Sequence, residues 1–225
     1  SLQSFPYRPM RRLACRPAAG SQSGPNALGL GHAAAPVIAY LGHDDVWHPE
    51  HLAGALAALT PDVDLAHSVT LLLGDDGRTE VAGGRPWEPA TFVPPPSIVH
   101  RRGSPRIGAW PAAGSTGHPV DQAFLLAAHA RGARVATTGR PTVFKFPAAW
   151  RLDSYRTRDV TPQRRIRAAL REDPGLGPRL VREAVAGGTG VTVAAPRPGA
   201  PGAIADFNRR MKGLEPRFGP ARTAP

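Results

Sequence analysis

The chain has 225 residues, 41% of them hydrophobic, a net charge of +11 and one cysteine. That length and content suit one α/β domain with a sizeable core, and a lone Cys15 excludes an internal disulfide or a cysteine-rich zinc site. Apolar runs such as 69–73 fall far short of the ~20 residues that span a bilayer, and SLQSFPYRPMRRLACRP has no signal-peptide apolar core, so a cytoplasmic protein is expected.

Only Lys145 and Lys212 are lysine; the remaining basic residues are arginine, in a chain also rich in Ala, Pro and Gly. This is how coding bias in a GC-rich genome looks, and no nucleic-acid partner is expected. The arginines concentrate in RLDSYRTRDVTPQRRIRAALR, residues 151–171, which suits a solvated helix face or peripheral contact with an acidic membrane.

Residues 1–25 show no periodicity. NALGLGHAA reads as a short helix, and PVIAYL, residues 36–41, as a fully apolar buried strand, expected at the centre of a sheet. In HPEHLAGALAAL, Pro49 takes a first helical position and Leu52, Leu56 and Leu59 fall at helical spacing. DLAHSVTLLLGDDGRTEVAGG predicts a hairpin turning at Asp76 and Gly77. FVPPPSIVHRR is a Pro-rich loop entering a strand, VDQAFLLAAHARG an amphipathic helix closed by Gly132, and ARVATTGRPTVFKF a strand with a loop. Residues 161–187 read as two helices parted at DPGLGP, and 188–225 as a Pro/Gly/Ala-rich extended tail. The domain division expected is 1–155, 156–187 and 188–225.

The strand ending at Leu41 delivers Asp44 and Asp45 to the carboxyl end of a sheet, where open α/β folds bind ligands. Two carboxylates there suit a hard divalent ion whose other positions are filled by diphosphate oxygens and water; aspartates at a strand end also cap helices and turns.

The segment PNALGLGHAAAPVIAYLGHDDVWHPEHLAGALAAL resembles the central segment of family 2 glycosyltransferases, where a pattern like N-A-x-x-x-A-x-G-x-x-I-A-F-L-D-x-D-D-x-W-x-P-x-H-L recurs; Asn26, Leu41, Asp44, Asp45, Trp47, Pro49, His51 and Leu52 fall in place. A second stretch, VPPPSIVHRRGSPRIGAWPAAGSTGHPVDQAFLLAAHARGARV, is similar to the family's acceptor-side region, and the resemblance covers roughly residues 24–150. It implies an A-type glycosyltransferase-like (Rossmann-like) mixed sheet with flanking helices. It also implies inverting transfer of a sugar from a nucleotide-diphosphate donor to a saccharide or lipid-linked acceptor, with Mn2+ or Mg2+. Asp45 then matches the metal ligand, Asp44 its neighbour near ribose and diphosphate, Asn26 a donor-binding position, and Asp121 the general base of an acidic pair, a role a helix cap would equally place there.

The chain departs from that pattern. Gly42 stands where an aspartate is common, Val120 precedes Asp121 where a glutamate is common, and residues 1–43 hold no Asp or Glu. Much of the N-terminal nucleotide-binding half is therefore expected to be lacking. Two other classes stay open: a non-catalytic module keeping the fold, and a hydrolase using His43, Asp44, Asp45, His48 and His51 as metal ligands. Pro49 argues against the latter, because the two imidazoles at 48 and 51 need not share a helix face.

Overall fold

The computed structural model describes residues 21–157, 159–189, 193–194 and 197–218. In chain order the elements are α1 (Ser23–His32), β1 (Val37–Ala39), β2 (Val46–Trp47), α2 (His51–Ala58), β3 (Leu65–Leu73), β4 (Thr79–Ala82), β5 (Ile98–Arg101), α3 (Val120–Ala130) and β6 (Val135–Lys145). They continue as α4 (Ser154–Thr157), α5 (Thr161–Glu172), α6 (Leu176–Ala186) and α7 (Ala203–Met211). The molecule is mixed α/β, with helices flanking a mixed sheet in the order β1-β5-β3-β6-β2 and β4 paired to β3.

All nine residues of β3 are buried, six of them apolar and His67, Ser68 and Thr70 polar. Leu65 joins Ile38, Ile98, Phe124 and Leu125 in one cluster, Ala66 joins Ala55, Leu59 and Val99 in a second, and Val69, Leu71 and Leu73 pack with Phe144, Leu170 and Leu176 in a third. The hairpin turns where the sequence predicts: Gly77 has φ 84°, and the Asp76 carboxylate accepts the Arg78 N–H at 2.9 Å. α3 closes at Gly132 with φ 75°. Strand β6 runs unbroken through Gly139 and Pro141, but its register against β3 shifts there, so the expected loop is a bulge within one strand.

Three expectations need correction. Among the described residues, 37–39 form an edge strand, paired only with β5, rather than a central one. Nor is the run fully buried: Ile38 and Tyr40 enter the α3-side cluster and Val37 packs against the cluster on the α2 side, but Ala39 and Leu41 are exposed. In α2 the helix begins at His51, and the inward stripe is His51, Ala55 and Leu59; Leu52 and Leu56 are exposed. The period is right and the phase is wrong, because His51 stacks on Trp47 with centroids 4.6 Å apart and bonds Thr142 at 2.9 Å, rotating that face inward. Where an extended tail is expected, residues 203–211 form α7. It is anchored by buried Asp206, whose carboxylate accepts the N–H groups of Arg217 at 2.6 Å and Phe218 at 2.9 Å, and by the Asp153 N–H donated to Met211 O at 3.0 Å.

Helices α5 and α6 bracket the predicted DPGLGP break, and α5 turns Leu170 inward while Arg164, Arg165, Arg167 and Arg171 stay exposed. Among the described residues no helix is long and apolar enough to cross a membrane. Antiparallel pairing of β1 with β5 and of β5 with β3, together with parallel pairing of β3 with β6, makes β1, β3 and β6 run the same way. Their carboxyl ends therefore share one end of the sheet.

Candidate functional site

At that shared end the chain leaves β1 on one sheet edge and crosses to β2 on the other, and Asp44 and Asp45 lie in this crossing. Lys145, the last residue of β6, faces them. Its ammonium lies 3.4 Å from both Asp45 carboxylate oxygens, and the Asp45 side chain is only 1% exposed. Asp44 pairs with Arg151 at 2.7 Å, the same guanidinium nitrogen donating to Phe146 O at 2.8 Å. Gln163 of α5 donates to the Asp44 carbonyl at 3.2 Å, tying the crossing to the helical layer.

Gly42 allows this arrangement. A Cβ at position 42 would collide with the Asp45 carboxylate, which folds back over the turn closed by the Asp45 N–H on Gly42 O at 3.3 Å. An aspartate at 42, common in the resembled family, has no room beside Asp45 in this geometry. Gly42→Ala is expected to cost about 1–3 kcal/mol through overpacking and loosening of the buried pair. Urea unfolding of that variant against Gly29→Ala, where a Cβ meets open space, checks the expectation; equal midpoints would contradict it.

Asp121 sits in the first turn of α3, 6% exposed. One of its oxygens accepts the Gln122 N–H at 2.9 Å within the first helical turn. Burial raises its pKa, and the Gln122 N–H and Lys145 only partly offset this. Burial works against the Lys145 charge, but Asp45, Asp44 and Asp121 together outweigh it and raise the lysine's pKa. The acids singled out in the sequence thus act on one ammonium. Asn26, the fourth predicted residue, lies instead in a groove of about 360 Å3 between α1 and β1, with Leu30, Val37 and Leu41.

Sequence reasoning passed over Lys145 as a site residue, together with Arg151, Tyr155 and Lys212. Tyr155 meets the His43 ring edge-on at 5.2 Å and carries the Lys212 ammonium 4.8 Å from its centroid. Its hydroxyl is held above the ordinary pKa by burial and by Asp44 and Asp45. Lys212 is pushed below its ordinary value by burial, with Lys145, Arg209 and Arg151 adding to the push against the opposing pull of Asp44. One signal was available: both lysines of an arginine-biased chain meet at this cluster.

The histidines of the hydrolase reading do not converge. His48 turns its Nε2 to Pro174 O at 3.2 Å, His51 is buried on Trp47, and the side chain of His43 is largely exposed. Among the described residues no group of three or more His, Cys, Asp or Glu is placed to hold a metal ion. Mn2+ or Mg2+ would take its oxygens from Asp44 and Asp45, but each of those carboxylates already faces a cation, Arg151 and Lys145. As arranged, the pair does not fit a resident divalent ion.

No protein-family model matches this chain, and no curated protein matches it.

Proposed function

We propose that the chain is a glycosyltransferase of the A-type fold, moving a sugar with inversion from a nucleoside diphosphate to a hydroxyl of a saccharide or lipid-linked acceptor. The observation that carries this reading is that Asp45 and Asp44 lie against Lys145 and Arg151 where β1, β3 and β6 end, with the charge of Asp121 also acting on Lys145. Carboxylates of such different sequence position, brought to the ligand-binding end of an α/β sheet, suit a site with a donor side and an acceptor side.

In this reading Asp121 is the base. The acceptor oxygen attacks the anomeric carbon, its proton passes to Asp121, and the bond from that carbon to the diphosphate oxygen breaks on the opposite face. A carboxylate whose pKa burial raises is a better proton acceptor than a solvated one. Asp44 belongs to the donor side, and the exposed arginines of α5 suit the acidic surface of a membrane that would hold a lipid-linked acceptor.

The test is transfer from a panel of nucleoside-diphosphate sugars, followed by release of the nucleoside diphosphate. Asp121→Asn is expected to lower turnover by about 10²-fold and leave donor binding nearly unchanged. Equal turnover would remove Asp121 from the base role, and a wild-type chain that binds a donor without turning it over would establish the non-catalytic module in place of the enzyme.

A further inference from the structure

We propose that Lys212, Arg151 and Lys145 form a metal-independent site for phosphoanhydride oxygens, standing where a divalent ion would otherwise meet the donor's diphosphate. The identity of that ligand as a sugar donor's diphosphate rests on the glycosyl-transfer reading; the anion site itself does not.

Three observations point the same way. The carboxylates are engaged, Asp45 by Lys145 at 3.4 Å and Asp44 by Arg151 at 2.7 Å, so the oxygens a metal would need are not free. Lys212 lies against the Tyr155 ring at 4.8 Å, and among the described residues no carboxylate is within ion-pair distance of it. The remaining polar atoms are short of acceptors. Arg151 is nine-tenths buried, yet among the described residues its Nε–H has no partner, and neither does the buried hydroxyl of Ser154 in the next turn.

A buried donor without an acceptor costs free energy, and a cation cannot relieve it. A phosphate oxygen can, being an acceptor only and charged as well. The residue types suit such a ligand, since a guanidinium offers a planar fork to phosphate and an ammonium offers a compact point charge. Lys145 closes β6 and Lys212 follows α7, so elements from opposite parts of the chain supply the two lysines it contains.

Inorganic pyrophosphate is the probe, titrated calorimetrically into the full chain in EDTA and again with excess Mn2+. Binding is expected in EDTA, changed less than about twofold by Mn2+. Lys212→Met should weaken it about tenfold or more, the loss of one charge-assisted contact, while Lys212→Arg should largely restore it. Absence of binding in EDTA, or binding that requires Mn2+ and disappears in Asp45→Ala, would overturn the proposal. Nucleoside diphosphates separate the two readings. If pyrophosphate binds as stated and no nucleoside diphosphate competes with it, the anion site stands and the glycosyltransferase reading falls. If nucleoside diphosphates bind only with Mn2+, the glycosyltransferase reading survives and the metal-independent site falls.

Discussion

Lys145→Met is expected to cost about 3–5 kcal/mol of folding stability, the range for removing one partner of a buried ion pair. The cost comes from what is left behind. Asp45, 1% exposed, would keep its charge with its cation gone and Asp44 beside it, so the carboxylate must take up a proton or admit water. Asp45→Asn alone should cost less, because the Lys145 ammonium retains Asp44 and Asp121 within electrostatic reach. The double variant, Asp45→Asn with Lys145→Met, should recover most of the loss, since it buries no unpaired charge. A double-mutant cycle from urea unfolding at neutral pH measures this coupling. If Lys145→Met costs less than about 1 kcal/mol, the pair is exposed to water in solution and does not organise the site.

The same pair marks how far the sequence could be read. Asp44 and Asp45 were legible because a strand, two acids and a helix start follow one another within a few residues, and local order dictates where such acids emerge. Their partners were not. Lys145 reaches them from β6 and Arg151 from the segment after it, a hundred residues on, and nothing periodic links positions so distant. The preference of this chain for arginine was readable, but the meaning of its two exceptions emerges only when β6 and the residue after α7 come to the same end of the sheet.

Elements show the same division. The Asp-Gly turn, the Gly132 stop and the break between α5 and α6 were legible since each depends on backbone conformations that a few neighbouring residues decide. The edge position of β1 was not: an apolar run suggests that both faces of a strand are covered, yet here Ile38 and Tyr40 are buried while Ala39 and Leu41 on the other face are exposed, and the run says nothing about which strands lie beside it. Residues 203–211 were hidden for another reason. Their surroundings are rich in Pro and Gly, and what fixes α7 is tertiary, a buried Asp206 receiving two backbone N–H groups from residues 217 and 218. Helix propensity is a weak prior beside such anchoring.

Acidification is expected to destabilise the fold steeply between pH 6.5 and 4 through His51 and His67. Both rings are buried and neutral, and burial lowers each pKa from 6.5 to about 4. Above pH 6.5 the folded and unfolded chains both hold neutral imidazoles, so these residues contribute no pH dependence there. Below it the unfolded chain takes up protons that the folded one refuses, and stability falls until the folded pKa is reached. The full difference is about 3 kcal/mol for each histidine. His100, also buried with its pKa lowered, adds to this loss, whereas Asp45 and Asp121 pull the other way, because a carboxyl whose folded pKa burial raises gains stability as pH drops. Asp64 loses stability only in more acidic solution, its pKa being held below 3.8 as the Arg134 N–H, Ser104 and Arg106 overcome its burial. The histidine contribution is therefore isolated by substitution. His67 is the cleaner site, since by geometry neither ring nitrogen has a hydrogen-bond partner among the described residues. His67→Met should remove its own share, about 3 kcal/mol, of the loss of stability between pH 6.5 and 4 while changing stability little at pH 8, as followed by urea unfolding across that range. A variant whose pH profile parallels the wild type would show that the His67 ring is already charged, or solvated, in the folded chain.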